Sequence, residues 1–335
     1  MKRIMNQSVM LTLLALGTIG CGDTTDNYDP DLQEVISSNH LTGDALSEKV
    51  IPQITDAKVQ LGMNLFYSKS LGTDRDSACV TCHHPILGGG DKLSLPIGTG
   101  AILPNLLGEG RLHDGSAAHH DGGPTVPRNA PTTFNMLAWN KVLFHDGRIE
   151  HILNPKGIST PDSGYEVVDP LATLNLASAQ SRFPITSPEE MKGFDHEDKD
   201  NQEIREYIAS RVGGYGEGKG ELTNTEYWLK QFQTALNKPN GKAEDLITEQ
   251  NIAMLIGEYE NSQAFTNNSW KEYVNGNTYA ISQSAKKGAL LFYKPISEGG
   301  ADCVHCHSSD LFSDESFHNV AMPQIGRGKG AEMMA

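Results

Sequence analysis

Basic residues are few in this sequence and do not cluster. The 335 residues include 27 Lys and Arg against 42 Asp and Glu, which gives a formal net charge of −15. Proteins that bind nucleic acids usually present a basic patch to the phosphate backbone. The charge therefore argues against a nucleic-acid partner and is typical of a well-solvated surface.

The N-terminus lacks an apolar run long enough to cross a bilayer. Lys2 and Arg3 precede an apolar run over residues 9–19, whereas a membrane-spanning helix needs about 20 apolar residues. A basic start, a short apolar run and small residues before Cys21 are typical of an export signal. We therefore expect a signal peptide over residues 1–21.

The stretch "TIGC" resembles a bacterial lipobox, in which the cysteine is lipidated, although Thr18 stands where leucine is usual. This predicts a lipoprotein signal and a lipid anchor at Cys21, with a plain secretory signal as the alternative. The acidic segment that follows predicts a flexible tether over residues 22–45.

Stretches of alternating polar and apolar residues are also scarce, which argues against an all-β fold. Apolar residues recur instead at helical spacing over residues 59–66, 228–235 and 252–259, which predicts three amphipathic helices. Thr248 is placed to cap the last of them.

Cysteine is scarce, with five in the chain. Apart from Cys21, the cysteines form two pairs, each followed by histidine: "CVTCH" at 79–83 and "CVHCH" at 303–307. The pattern G-x-x-L-F-Y precedes both, at 62–67 and 288–293. A helix, a loop and the same cysteine motif occurring twice suggest two related modules in one chain.

The C-x-x-C-H motif indicates covalently attached haem. Two thiols one helical turn apart form thioethers with the haem vinyl groups, and the adjacent histidine ligates the iron. A zinc site would need two further ligands near each pair, and a thioredoxin-type dithiol would need a βαβ context. A disulfide within either pair is an alternative before haem insertion. The attachment and ligand residues of the two predicted haems c are Cys79, Cys82, His83, Cys303, Cys306 and His307.

Four longer stretches extend this pattern: "LGMNLFYSKSLGTDRDSACVTCHHP", "RNAPTTFNMLAWNKVLFHDGR", "SAQSRFPITSPEEM" and "GALLFYKPISEGGADCVHCHSSDLFSDESFHNVAMPQIGRGKG". Together they resemble the bacterial di-haem cytochrome c peroxidases, over residues 57–329. That family includes the MauG branch, which oxidises a partner protein to mature its quinone cofactor. The haem motifs alone are generic, whereas their combination with "RNAPT", "F-x-DGR" and "EEM" is specific.

The resemblance implies a mainly α fold with two cytochrome c-like haem domains and long loops. Residues 46–268 would form the N-terminal peroxidatic domain. Residues 269–335 would form the C-terminal electron-transfer domain, which we expect to be truncated at Ala335. The family also implies a calcium ion between the domains, a periplasmic location and, in many members, a homodimer.

The resemblance assigns roles to two pocket residues. Glu190 in "PEEM" matches the acid/base glutamate of the peroxide pocket, and Gln180, ten residues earlier, matches a pocket glutamine that orients peroxide or water. Without the resemblance, Glu190 would be expected to be a solvated residue in the first helical turn after Pro188.

Two further residues are carried over in the same way. His120 matches the histidine that, in several members, caps the peroxidatic haem at rest; His113 and His119 are rivals for this role. Asn129 in "RNAPT" matches a calcium-binding asparagine and would otherwise be a turn residue.

The chain departs from the family pattern in three places. His145 stands where tryptophan often lies between the haems, and an insertion of loop character separates Arg148 from Gln180. The segment that supplies the sixth ligand of the C-terminal haem is missing, since Met322 does not match a ligand position and Met333 and Met334 are too close to the end.

We therefore expect an enzyme that reduces hydrogen peroxide to water. Its electrons would come from a small cytochrome c or copper protein. The alternatives are a MauG-like oxidase of a partner protein and a non-catalytic di-haem electron carrier.

Overall fold

The protein is mainly helical in the computed structural model, which describes residues 27–117, 119–120, 126–173 and 175–321. The predicted export signal and the methionines at 322, 333 and 334 lie outside these ranges. The helices are α1 (Asp29–Ser38), α2 (Ala57–Phe66), α3 (Cys79–Cys82), α4 (Leu176–Gln180), α5 (Asn201–Gly213), α6 (Thr225–Ala235), α7 (Ala243–Leu246), α8 (Glu249–Ser262), α9 (Ser269–Val274) and α10 (Gln283–Tyr293). None of these helices is long and apolar enough to cross a membrane.

The three helices predicted from apolar spacing are confirmed as α2, α6 and α8. The predicted cap of α8 is also confirmed, because the Thr248 side chain accepts a hydrogen bond from the Asn251 N–H at 3.2 Å. The side chain thereby satisfies one of the N–H groups that a helix start leaves without an intrahelical acceptor.

A small antiparallel sheet occupies part of the stretch that was expected to be an inserted loop. Its strands are β1 (Val142–Leu143), β2 (Ile149–Leu153) and β3 (Lys156–Ser159), in that order, with Leu143 opposite Ile149. Ile149 and Ile158 are fully buried and pack with Leu176 of α4. The apolar face of this hairpin therefore fixes the position of α4.

The largest apolar cluster lies between α2, α5, α6 and α8. Its centre includes Leu65, Phe66, Ile208 and Phe232, which are fully buried. Helices α2 and α8 cross at Gly62, where a Cβ atom would overlap backbone atoms of α8. The glycine therefore permits this close approach, which places α8 beside the first cysteine motif.

A separate apolar cluster joins α1, α9 and α10. It contains Leu32 and Ile36 from α1, Tyr273 from α9, and Leu290 and Tyr293 from α10. The helix that precedes the second cysteine motif therefore packs against the start of the described chain.

The prediction of a flexible tether was wrong for residues 27–45. Leu32 of α1 is fully buried, and its acidic neighbours Asp29 and Asp31 form ion pairs with Lys286 at 2.6 Å and Lys294 at 2.8 Å. An acidic segment stays disordered when it can neither bury apolar side chains nor pair its charges. Here the acidic residues are the partners of Lys286 in α10 and of Lys294, which directly follows that helix.

The segment after the second cysteine motif contacts the segment around β1. The Glu315 carboxylate accepts hydrogen bonds from the backbone N–H groups of Asn140 at 2.7 Å and Lys141 at 2.8 Å. The Phe317 ring lies against Gly147, where a Cβ atom would meet it. These contacts connect the regions around the two cysteine motifs.

Candidate functional site

A cavity lies beside the first cysteine motif. The motif, the α4 region, the turn at Pro188–Lys192 and α8 form its walls. The lining residues are Ser77, Ala78, Cys79, Cys82, His83, Gln180, Ser181, Pro184, Glu190, Met191, Ile256 and Glu260.

The first pair of cysteines lies on the short helix α3, whose start is fixed by a hydrogen bond from the Ala78 N–H to the Thr81 hydroxyl at 3.0 Å. Cys79 and Cys82 are both free thiols. Burial raises the pKa of both thiols. The nearby carboxyl of Glu260 also raises the pKa of Cys79, and that of Glu190 also raises the pKa of Cys82. Two protonated thiols one helical turn apart therefore face the cavity.

The His83 ring is oriented by backbone carbonyls. Its Nδ1 lies 3.0 Å from the Pro131 oxygen and 3.2 Å from the Gly89 oxygen. A carbonyl oxygen can only accept, so Nδ1 carries the proton and Nε2 has the lone pair. Burial also lowers the pKa of His83, which favours the neutral ring. His83 is therefore in the tautomer that ligates a metal through Nε2.

These residues fit a covalently attached haem. Two free thiols stand in the cavity wall, and the adjacent histidine has the required tautomer. Neither thiol is paired in a disulfide, and within the described ranges no group of three His, Cys, Asp or Glu side chains is placed to hold a metal ion. The donor set therefore favours haem over zinc at this site.

The second cysteine motif repeats this local chemistry in a more open setting. Cys303 and Cys306 are free thiols, and Nδ1 of His307 lies 3.0 Å from the Phe312 carbonyl oxygen. The His307 ring is exposed. Gly288 of α10 holds the position that Gly62 holds in α2, but a Cβ there would meet nothing within 4 Å. In the described part of the chain, this face of α10 is uncovered.

Glu190 and Gln180 meet at the same cavity. Gln180 is the last residue of α4, and Glu190 lies in the single π-helical turn Pro188–Lys192. The Ser77 hydroxyl donates to the Glu190 backbone carbonyl at 2.8 Å, which ties this turn to the cysteine motif. The structure therefore brings together two residues that lie ten positions apart in the sequence.

Burial raises the pKa of Glu190 to about 7, although nearby Arg148 acts to lower it and Glu189 to raise it. The side chain is partly buried in the cavity wall, in contrast to a solvated position in a first helical turn. A carboxyl group with a pKa near neutrality can both accept and donate a proton at neutral pH.

A buried ion network holds the end of α4. The Arg182 guanidinium contacts Asp169 at 2.7 Å and Glu249 at 3.2 Å, and Arg205 donates to the Arg182 carbonyl at 3.0 Å. Asp169 belongs to the connection after β3. The inserted segment is therefore anchored through Asp169 to Arg182, which lies two residues after Gln180.

His120 lies against His113 and is not among the residues that line the cavity. Their Nδ1 atoms are 2.9 Å apart, and their rings stack with centroids 4.9 Å apart. His119 stacks instead on Phe194 at 3.8 Å. Coordination of haem by His120 stays a prediction.

The remaining predicted residues lie at the surface. The Asn129 side-chain amide donates to the backbone oxygens of Leu93 at 2.7 Å and Ser94 at 3.3 Å, and a calcium role for Asn129 stays a prediction. His145 is exposed. It lies between the buried Leu143 and Gly147 in the turn that connects β1 to β2.

Among the ionisable residues that line the cavity, sequence reasoning missed Glu260. Its side chain is 3% exposed, and burial raises its pKa to about 8. The sequence feature that could have indicated it is a charged residue on the apolar face of α8, four positions after Ile256. A charged side chain at such a position is unusual unless it has a partner or a function.

Known proteins of one family are similar to this chain in sequence and fold. A profile of the di-haem cytochrome c peroxidase family matches residues 56–279, more than half of the chain. The methylamine utilization protein MauG of Methylophilus methylotrophus is 25% identical over 290 residues, which are 87% of this chain and 64% of that protein. The cytochrome c551 peroxidase of Nitrosomonas europaea is 21% identical over 273 residues, 82% of this chain and 58% of that protein.

A solved structure has a similar fold. It is a variant of the diheme peroxidase BthA from Burkholderia thailandensis, with a TM-score of 0.51 and 17% identity over 84% of this chain and 58% of that one. The chain spans about half to two thirds of the length of the curated relatives, from 46% to 64%.

Proposed function

Because the chain belongs to the di-haem cytochrome c peroxidase family, we propose that it reduces hydrogen peroxide to water at the cavity beside Cys79, Cys82 and His83. The reaction consumes one peroxide, two electrons and two protons, breaks the O–O bond and gives two water molecules. The observation that carries the proposal is that Glu190 and Gln180 line the same cavity as the first haem motif.

The family implies two haem c groups, and the first would be held by thioethers at Cys79 and Cys82 with His83 on the iron. When bound, the haem supplies the iron that binds peroxide and exchanges electrons with it. The cavity residues do the rest, which is to hold the substrate and move its protons.

Glu190 would carry a proton from one peroxide oxygen to the other, so that the second oxygen leaves as water. A carboxyl group with a pKa of about 7 suits both steps, because it is present in both protonation states near neutral pH. The Gln180 amide would orient the peroxide by hydrogen bonding. The Arg182 network would keep Gln180 in place, since it fixes the end of α4.

The second motif, Cys303, Cys306 and His307, would hold the haem that receives electrons. A small cytochrome c or copper protein would donate them, which places the protein in the bacterial periplasm, with Cys21 as a lipid anchor. A calcium ion at Asn129, capping of the resting haem by His120 and a homodimer complete the proposal by analogy with the family.

A MauG-like oxidation of a partner protein is the second candidate. The similarity to two MauG proteins, each 25% identical, favours it. In that case the oxidising equivalents from peroxide would pass to a protein substrate instead of being quenched by a donor. A di-haem electron carrier, the third reading, would have no use for an acid/base residue in the cavity.

The test is peroxide-dependent oxidation of a reduced small cytochrome by the haem-loaded, full-length protein. We expect turnover in the native protein and a loss of about 10²- to 10⁴-fold in Glu190→Gln, the usual contribution of a positioned acid/base group. Glu189→Gln is the matched control, because Glu189 is the neighbouring carboxyl and is not among the cavity-lining residues. Absence of turnover in a protein that carries both haems would reject the peroxidase and leave the partner-protein oxidase or the carrier.

A further inference from the structure

Glu260 is a second carboxyl group in the haem cavity, and the peroxide chemistry does not use it. It lies on α8 and lines the same cavity as Cys79 and Glu190. Its side chain is 3% exposed, and its Oε2 atom has no hydrogen-bond partner within the described ranges. A buried polar atom without a partner costs free energy, so its retention in a cofactor cavity points to an interaction with the cofactor or with water beside it.

Within the described ranges, no compensating cation faces Glu260. The ionisable groups around it are Cys79 from α3 and the adjacent Tyr259, with Cys82, His83 and Glu190 in the same cavity. Burial favours the neutral forms of His83 and of the two thiols, and the other groups are neutral or negative. Burial raises the pKa of Glu260 to about 8. A negative charge at Glu260 is therefore costly unless a positive charge lies nearby.

We propose that Glu260 is the redox-linked proton acceptor of the first haem. Glu260 takes up one proton from solvent when the haem gains one electron from its donor, and releases that proton when the electron leaves. The O–H bond of the carboxylic acid forms in the first step and breaks in the second. The inference rests on haem attachment as in the proposed function, but it does not depend on peroxide turnover.

The direction follows from electrostatics in a region of low dielectric constant. An oxidised haem iron carries one more positive charge than a reduced one, and that charge stabilises a nearby carboxylate. Reduction removes the charge, so the carboxylate binds a proton. Glu190 is less suited to this role, because its side chain is more exposed and Arg148 favours its charged form.

The test is a spectroelectrochemical titration of the haem-loaded protein at a series of pH values. We expect the midpoint potential of the first haem to fall as pH rises through neutrality. The steepest slope expected for uptake of one proton with one electron is a tenfold change in the redox equilibrium per pH unit, which is about 59 mV. In Glu260→Gln the potential should become independent of pH and higher than that of the native protein at alkaline pH.

The matched control is Glu258→Gln, because Glu258 lies on the same helix but is not among the cavity-lining residues. Its potential should keep the native pH dependence, and so should that of Glu190→Gln. A pH dependence that persists in Glu260→Gln, or that disappears in Glu190→Gln, would overturn the proposal.

A second measurement covers the case in which Glu260→Gln does not fold. Reduced-minus-oxidised infrared difference spectra of the native protein and of Glu190→Gln should both show a carboxylic acid carbonyl band gained on reduction. Absence of that band in Glu190→Gln would contradict the assignment to Glu260. If the protein turns over peroxide but shows no carbonyl band on reduction, the role of Glu260 is wrong and the peroxidase function stands. If it shows the band but does not turn over peroxide, the peroxidase function is wrong and the role of Glu260 stands.

Discussion

Gly62 of α2 and Leu255 of α8 approach so closely that a Cβ atom on the glycine would overlap the Leu255 carbonyl group. This contact brings α8, and with it Ile256 and Glu260, against the haem cavity. Gly288 occupies the same place in the repeated G-x-x-L-F-Y pattern but has open space where its Cβ would be. The two glycines therefore allow a comparison between a helix face that another helix covers, at Gly62, and one that is uncovered in the described part of the chain, at Gly288.

We expect Gly62→Ala to destabilise the protein, because the added methyl group forces α2 and α8 apart. Overpacking of this kind costs about 1–3 kcal/mol. Gly288→Ala should be neutral or stabilising by up to about 1 kcal/mol, since alanine is the better helix former and nothing opposes its methyl group. Denaturant unfolding followed by circular dichroism measures both. Equal stability of the two variants would contradict the helix crossing.

Asp29 should contribute more to stability than Asp31, although both pair with lysines: Asp29 with Lys286 in α10, and Asp31 with Lys294 just after it. Lys286 is 3% exposed and is held by Asp29 at 2.6 Å, so Asp29→Ala leaves a buried ammonium group unpaired. We expect a loss of about 1–3 kcal/mol, less than for a fully buried pair because Asp29 is itself partly exposed. Asp31→Ala removes only an exposed ion pair and should change thermal stability very little. Indistinguishable melting temperatures would mean that α1 does not hold α10 through Asp29.

The two cysteine motifs should hold one haem each. Cys79→Ala with Cys82→Ala, or Cys303→Ala with Cys306→Ala, removes both thiols of one motif, so each double variant should carry half of the native haem. Intact-mass spectrometry of the exported protein counts the attached haems directly. Native haem content in either double variant would exclude thioether attachment at that motif.

The peroxide reaction should become faster as pH rises through about 7. Burial raises the pKa of Glu190 to about 7, and the group must be deprotonated to accept the peroxide proton. Below this pH the carboxyl is protonated and the rate should fall, while above it the rate should level off. Stopped-flow mixing with peroxide between about pH 5 and pH 9 measures this profile. Glu189→Gln should keep the rise in rate but shift it to lower pH, because Glu189 raises the pKa of Glu190. Glu190→Gln should lose the rise, and a rise that persists in Glu190→Gln would assign it to another group.

The two cysteine motifs could be identified from the sequence because their chemistry is local. Two cysteines and a histidine within five positions predict haem attachment without reference to the fold, and this attachment stays a prediction. The amphipathic helices α2, α6 and α8 were predictable for a similar reason, since burial on one face leaves a period in the sequence. Glu190 and Gln180 required the family resemblance, because their meeting depends on a turn and a helix end far from α3.

The rest depended on tertiary contacts. The segment with Asp29 and Asp31 has the composition of a tether, and only its ion pairs with Lys286 and Lys294 and the buried Leu32 show why it is helical. The β2–β3 hairpin was missed because its strands are short and one face packs on α4. Glu260 was overlooked because a single charged residue on an apolar helix face does not indicate a functional site until the cavity beside it is known.

The most direct test of the central claim is to mix peroxide with proteins that carry one haem only, and to follow the haem absorbance within a single turnover. We predict that the protein with Cys303→Ala and Cys306→Ala, which keeps the first haem, reacts with one equivalent of peroxide. The protein with Cys79→Ala and Cys82→Ala, which keeps the second haem, should not respond. A rapid reaction at the second haem, or none at the first, would contradict the assignment of peroxide chemistry to the cavity of Glu190 and Gln180.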